Sequence, residues 1–315
     1  MEDSCNNKDE HILPGKLAVT NSQADSCIIY DNSNIGKARF KIGRFNDTSF
    51  DGHTWMNMAD DLVALENIHD KNSNIRKANL VKTDINNNFI EHIYKVNNGE
   101  FAGNAHFTKD DSLLLFTIDK MGDRQKNPLE GLMRMNSLFV MDFKSRQIVK
   151  KIDSVGISPI FSLRESPWLY DGSSFIYSIN YDNGIANSIE LNEKSTAPGI
   201  YIYNMAEDKR KLLIPDAYFG ICSPVDLKIA FKKNQSVYYF NLSDNSTKLI
   251  YKAGKNEKVQ DIHWTPDGKY IYLAFYDFKF SDILFDSGEK LIDIETGKEI
   301  PFKKITNGFQ SYSWK

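Results

Sequence analysis

Cysteine is scarce in this sequence: Cys5, Cys27 and Cys222 are the only three among 315 residues. They form no C-x-x-C pair and no metal-ligand spacing, and their odd number gives no disulfide framework. An excess of charge of one sign is also absent. Lysine and arginine total 39 against 42 aspartates and glutamates, a formal net charge of −3. That balance removes the electrostatic case for nucleic acid or an anionic membrane as the main partner. No apolar run approaches the roughly 20 residues that a membrane-spanning helix needs. The chain also lacks a G-x-S-x-G nucleophile elbow, an H-E-x-x-H pair and a G-x-x-x-x-G-K-[ST] loop. Sustained i, i+3, i+4 apolar patterns are few, which argues against a helical fold.

What the sequence does contain is a recurring turn. The stretch "IHWTPDGKYIYLAF" (262–275) has partners in "HFTKDDSLLLF" (106–116), "PWLYDGSSFIYS" (167–178) and "ICSPVDLKIAF" (221–231), with a weaker copy in "NMADDLVAL" (57–65). Each copy has an apolar or aromatic strand end, a polar step, an Asp- or Gly-containing turn and an alternating apolar strand. Proline presets φ, while Asp and Gly accept the conformations of a tight reversal. In the weak copy Asn57 stands where the others have an aromatic or apolar anchor. Two further strand-like runs follow the stronger copies, as in "GIYIYNMAEDKRKLLI" (199–214) and "SVYYFNLSDNSTKLIY" (236–251). The unit is four antiparallel strands, with turns near positions 61, 111, 172, 226 and 268. That spacing predicts propeller blades.

The two ends are complementary halves of one repeat. "FQSYSWK" at the carboxy terminus matches an innermost strand, with Trp314 aligned on Trp264, while "ILPGKLAVT" (12–20) matches the turn and second strand. The expected fold is therefore all-β: a six-bladed propeller over residues 12–315, closed by the carboxy-terminal strand joining the amino-terminal blade, with 1–11 a flexible segment. The motif "HWTPDGKYIYLAF" resembles the TolB-like, WD40-like (PD40) propeller repeat, which also occurs in prolyl oligopeptidase-type enzymes. The resemblance covers nearly the whole chain and specifies a blade, not an activity. It implies exported surroundings and protein partners.

The start, "MEDSCNNKDEH", has neither a basic nor an apolar signal region. Cys5 followed by Asn6-Asn7-Lys8-Asp9-Glu10 resembles the beginning of a Bacteroidetes-type surface lipoprotein. An exported chain, periplasmic or anchored to the outer membrane, is the expectation, with a cytoplasmic protein as the alternative.

Three connections between second and third strands read as long: 117–136, 180–198 and 276–287. Such lengths are uncommon outside functional loops. Met133 and Met135 in the first and Phe278 and Phe280 in the last make that face a candidate partner surface. The starts of the inner strands supply a polar ring at the channel mouth: His53, Asn104, Arg164, Glu165, Tyr218, Asp261 and Gln310. His53, His106 and His263 fall near inner strands of different repeats, but their offsets from the anchor position differ, and isolated histidines are expected. Cys222 sits at the anchor position and reads as a small buried residue. The turn carboxylates Asp60, Asp61, Asp110, Asp111, Asp171 and Asp267 read as caps, not as acid–base pairs. The expected function is non-catalytic binding of a protein partner by a monomer, with no catalytic residue, metal or cofactor. The alternative is a carbohydrate- or small-ligand-binding propeller, or a lyase-like enzyme, working at the channel mouth.

Overall fold

Runs such as "LLLF" (113–116) are apolar at successive positions rather than at alternate ones, which requires strands buried on both faces. The computed structural model has this arrangement. It describes residues 15–20, 27–30, 38–40, 48–59, 61–70, 75–84, 89–121, 134–153, 160–162, 166–180, 197–278, 285–302 and 311–314. The described residues form 24 strands and no helix.

The first sheet contains β1 (Leu17–Thr20), β2 (Cys27–Tyr30) and β3 (Ala38–Phe40), with the last strand, β24 (Ser311–Trp314), on its other side in the order β24-β1-β2-β3. Leu17 lies opposite Trp314, so the two ends of the chain share one sheet. Two groups of four follow. They are β4 (Thr48–Trp55), β5 (Leu62–His69), β6 (Ile75–Asp84) and β7 (Phe89–Tyr94), then β8 (Glu100–Phe107), β9 (Leu113–Met121), β10 (Arg134–Asp142) and β11 (Gln147–Asp153). A single parallel pairing, Ala78 with Phe101, merges them into one eight-stranded sheet.

Three four-stranded sheets complete the chain, each in sequence order. The first holds β12 (Ile160–Ser162), β13 (Ser174–Asn180), β14 (Gly199–Asn204) and β15 (Lys209–Pro215). The second holds β16 (Tyr218–Cys222), β17 (Lys228–Lys233), β18 (Ser236–Asn241) and β19 (Ser246–Lys252). The last holds β20 (Glu257–Trp264), β21 (Tyr270–Phe278), β22 (Phe285–Asp293) and β23 (Glu299–Ile300).

The core lies between sheets, because successive side chains of a strand point to opposite faces. On β9, Leu114 and Phe116 join Val63 and Leu80, whereas Leu115 joins Phe175 and Tyr177. On β13, Ile176 faces the other way, toward Ile229 and Phe231. Ala230 in turn packs with Ile271, Leu273 and Ile292. Four inner strands, β4, β8, β16 and β20, carry one irregularity each. One residue is inserted between Asp51 and Thr54, between Gly103 and His106, between Tyr218 and Ile221, and between Val259 and Asp261. Asn104 and Phe219, at equivalent places, take φ of 44° and 58°, as bulged residues do.

Two expectations change. Antiparallel pairing continues to Arg134 with Met121 and to Phe278 with Phe285, so strands occupy much of the segments read as the first and third loops. The polar residues there, such as Asp277, alternate with aromatics and still make ladder pairs. Only 122–133 and 279–284 lie between these strands, outside the described residues.

The second correction concerns the weak repeat. After each anchor, an amide bonds the carbonyl five residues on: Met56 to Asp61, Thr108 to Leu113, Leu169 to Ser174, Ser223 to Lys228 and Thr265 to Tyr270, at 2.8–3.0 Å. This register puts Trp55, not Asn57, level with Phe107, Trp168, Cys222 and Trp264. Asn57 is two residues later and belongs to the turn.

Gly268 holds the left-handed position of its turn at φ 66°, and a Cβ there would lie 2.3 Å from Val225 Cγ2 of the preceding sheet. Gly268→Ala is expected to destabilise the protein by roughly 1–3 kcal/mol in guanidinium unfolding. Adding Val225→Ala should recover only the steric part of that loss.

Candidate functional site

The anchor positions do more than fill the core. Tryptophan carries a large apolar ring with one N–H that needs an acceptor when buried. Trp168 Nε1 donates to the carbonyl of His106 at 3.1 Å, and Trp264 Nε1 donates to that of Ile221 at 3.1 Å. Cys222, lacking an indole, donates its thiol to the carbonyl of Pro167 at 3.3 Å. In each case the acceptor is the residue before the anchor of the preceding sheet. Phe107 has no donor, and it packs edge-on against Phe143 at 4.8 Å.

The turns add a second set of contacts between neighbours. Asp111, at φ 56°, reaches back to accept from the amides of Asn57 and Met58, both at 2.7 Å. Three other turn carboxylates cap their own turns, whereas Asp61 pairs with Lys82 at 2.7 Å and Asp60 lies outside the described residues. Asp110 accepts from Thr108 and Ser112, Asp171 from Ser173, and Asp267 from Thr265 and the Lys269 amide. Those bonds to Thr108 and Ser112 hold the Asp110 carboxyl below its ordinary range.

These aligned ends enclose a cavity of about 330 Å³. Its walls include Trp55, Phe107, Trp168 and Trp264, all buried. Its rim comes from the turns, through Met58, Lys109, Tyr170, Pro224, Val225 and Pro266. Met58 is 74% exposed, Val225 46% and Tyr170 39%. The volume falls at the small end of ligand pockets, which span about 300–1,000 Å³. Trp264 pairs with Ile271 at this end of its hairpin and Glu257 with Asp277 at the other. The cavity therefore opens opposite the end where β21 meets β22.

Two histidines line the same cavity. His106 is buried, and desolvation pulls its pKa down to about 3, so the ring is neutral. His263 is buried beside Asp261, with Nε2 3.6 Å from Oδ2. His53 lies on β4 one residue before Thr54, the counterpart of His106, and its side chain is outside the described residues. Among the described residues no three His, Cys, Asp or Glu side chains gather as a metal site. Burial, with a contribution from Asp171, raises the Cys222 thiol well above its ordinary range, the opposite of what a nucleophile needs.

The predicted channel-mouth residues are placed in part. Asn104 is exposed at the β8 bulge. Tyr218 is half-buried against Phe219. Asp261 is half-buried, with Oδ1 accepting from the Ile262 amide. Arg164, Glu165 and Gln310 lie outside the described residues, as do Met133 and Phe280 and the side chains of Met135 and Phe278. Sequence reading missed the cavity, whose signal was present in the anchor aromatics themselves.

The neutral His106 gives a pH signature. Its folded pKa lies below the unfolded value, so the unfolded chain binds the extra proton first as pH falls from 6.5 toward 3. Stability is full above 6.5 and declines on acidification. His106→Gln is expected to flatten the fall in Tm between pH 6.5 and 5, measured by thermal unfolding.

No protein-family model matches the chain, and no curated sequence matches it either. Solved structures resemble it in shape. A putative TolB from Agrobacterium tumefaciens aligns over 95% of this chain and 90% of its own, at TM-score 0.54 and 14% identity. An oligogalacturonate lyase in complex with manganese aligns over 91% and 73%, at TM-score 0.51 and 12% identity. An acylaminoacyl peptidase from Pyrococcus horikoshii aligns over 94% of this chain but 45% of its own, at TM-score 0.57 and 12% identity. At such identities the likeness carries the fold alone. The chain has an all-β fold of the β-propeller kind.

Proposed function

We propose that the chain is a six-bladed propeller, closed by the pairing of β24 with β1, that acts by binding a protein partner. The blade count follows from splitting the eight-stranded sheet at its single parallel pairing, beside four sheets of four strands. The observation that carries the binding reading is the apolar rim. Met58, Tyr170 and Val225 come from three different sheets and are exposed, yet they converge on the mouth of one aromatic-walled cavity. Exposed apolar side chains scattered singly need no explanation, whereas a cluster around a pocket suits recognition. The rim belongs to the tight turns, whose backbone is fixed by hydrogen bonds, so a partner meets a preorganised surface. Residence in the cell envelope is part of the proposal, supported by the Cys5–Glu10 sequence.

The partner surface expected at the opposite end, around Met135 and Phe278, makes the test comparative. A photo-cross-linking residue is placed in turn at Met58, Tyr170, Met135, Phe278 and, as a control, Ile148 on β11. One defined protein cross-linked from Met58 and Tyr170, and not from Ile148, is the expected result. Cross-linking from Met135 and Phe278 alone would return the site to the loop face. Equal labelling from Ile148 would overturn specific binding at either end.

A further inference from the structure

The charge on the cavity wall narrows what it accepts. Among the described residues that line it, Lys109 is the only ionisable base apart from the two imidazoles, and none is an aspartate or glutamate. Among the described residues Lys109 has no carboxylate within ion-pair distance. The nearby Asp110, Asp171 and Asp267 are turned onto their own turns, and both oxygens of Asp111 are taken by Asn57 and Met58. A cation in the cavity would therefore lose its hydration without gaining an anion, which is unfavourable. A carboxylate at one place, beside Lys109, is the charge this wall can compensate. The rest of the guest must be neutral and apolar to suit Trp55, Trp168 and Trp264.

Shape decides between sources of such a group. A free acid the size of one side chain would fit inside the 330 Å³ cavity and leave Met58, Tyr170 and Val225 bare. A polypeptide end covers both, with its last side chain inside and the preceding residues across the rim. Resting on the partner-binding reading above, we infer that this cavity receives the carboxy-terminal residue of the partner polypeptide. Its apolar side chain lies against the tryptophans and its α-carboxylate pairs with Lys109. Capture of a carboxy-terminal carboxylate is an established mode of peptide recognition.

Trp55, Trp168 and Trp264 line the cavity, so their fluorescence reports occupancy directly. The full chain is titrated with acetyl-Gly-Gly-Phe and acetyl-Gly-Gly-Leu, each as the free acid and the carboxy-terminal amide, and with N-acetylphenylalanine. The free-acid peptides are expected to bind about tenfold more tightly than their amides, as a charge-assisted bond allows. Lys109→Gln should reduce that ratio to about one. Equal binding of acid and amide by the unaltered protein would overturn the chain-end inference while leaving the cavity as a binding seat. N-acetylphenylalanine binding as tightly as the tripeptide would overturn the polypeptide source in favour of a free acid. A lack of saturable response to every probe would overturn the cavity as a seat, and with it this inference. The cross-linking comparison would still stand as the separate test of partner binding.

Discussion

A propeller-like arrangement of sheets has few backbone hydrogen bonds between neighbours, so something else must set their spacing. Here a side-chain ladder does so, running from three of the anchors to the backbone of the sheet before each. Trp168, Cys222 and Trp264 each donate to the carbonyl preceding the previous anchor. These bonds are buried, and losing one leaves a polar group unsatisfied, which costs about 1–3 kcal/mol. The same residues pack their rings or thiol into the intersheet core, so one position fixes distance, angle and depth together. The cavity is a by-product of that constraint, because aligning the anchors also aligns the turns that follow them.

Asp111 shows how the turns share this task. Its left-handed φ aims the carboxylate at the Asn57 and Met58 amides, where Gly172 and Gly268 occupy equivalent positions without side chains. Those glycines let the neighbouring turn approach closely, with Thr108 beside one and Val225 beside the other. Close approach and a charged clamp are two solutions to one requirement, which is to hold adjacent turns together without a continuous ladder.

The repeats were legible because tight reversals demand Pro, Asp or Gly, as in Pro266-Asp267-Gly268. The first copy misled for the same reason. Its turn after Met56 has neither an Asp-Gly nor a Pro-Asp pair, so alignment on composition put Asn57 at the anchor, and the hydrogen-bond register was needed to identify Trp55. Length was misjudged where strands such as β21 carry polar residues into the region read as loop. The cavity was hidden by a different ambiguity. A buried tryptophan reads as core in a sequence, and only three dimensions show that part of its surface faces an opening. Cys222, Asp110, Asp171 and Asp267 were read correctly, because a small apolar thiol and an Asp beside Ser or Thr each have one economical use in such a place, whereas Asp61 pairs with Lys82 and Asp111 bonds the neighbouring turn.

The bulges in β4, β8, β16 and β20 have a consequence for the strands that carry the anchors. An inserted residue shifts the phase of a strand, so side chains on either side of it follow separate inward–outward alternations. The side chains before and after each bulge are thus placed independently of one another. Polar residues such as Asn104 can change without disturbing the anchors, two or three positions along the same strand, on which the cavity and the ladder depend. A scaffold divided in this way can acquire a new specificity at one end while its assembly stays fixed at the other.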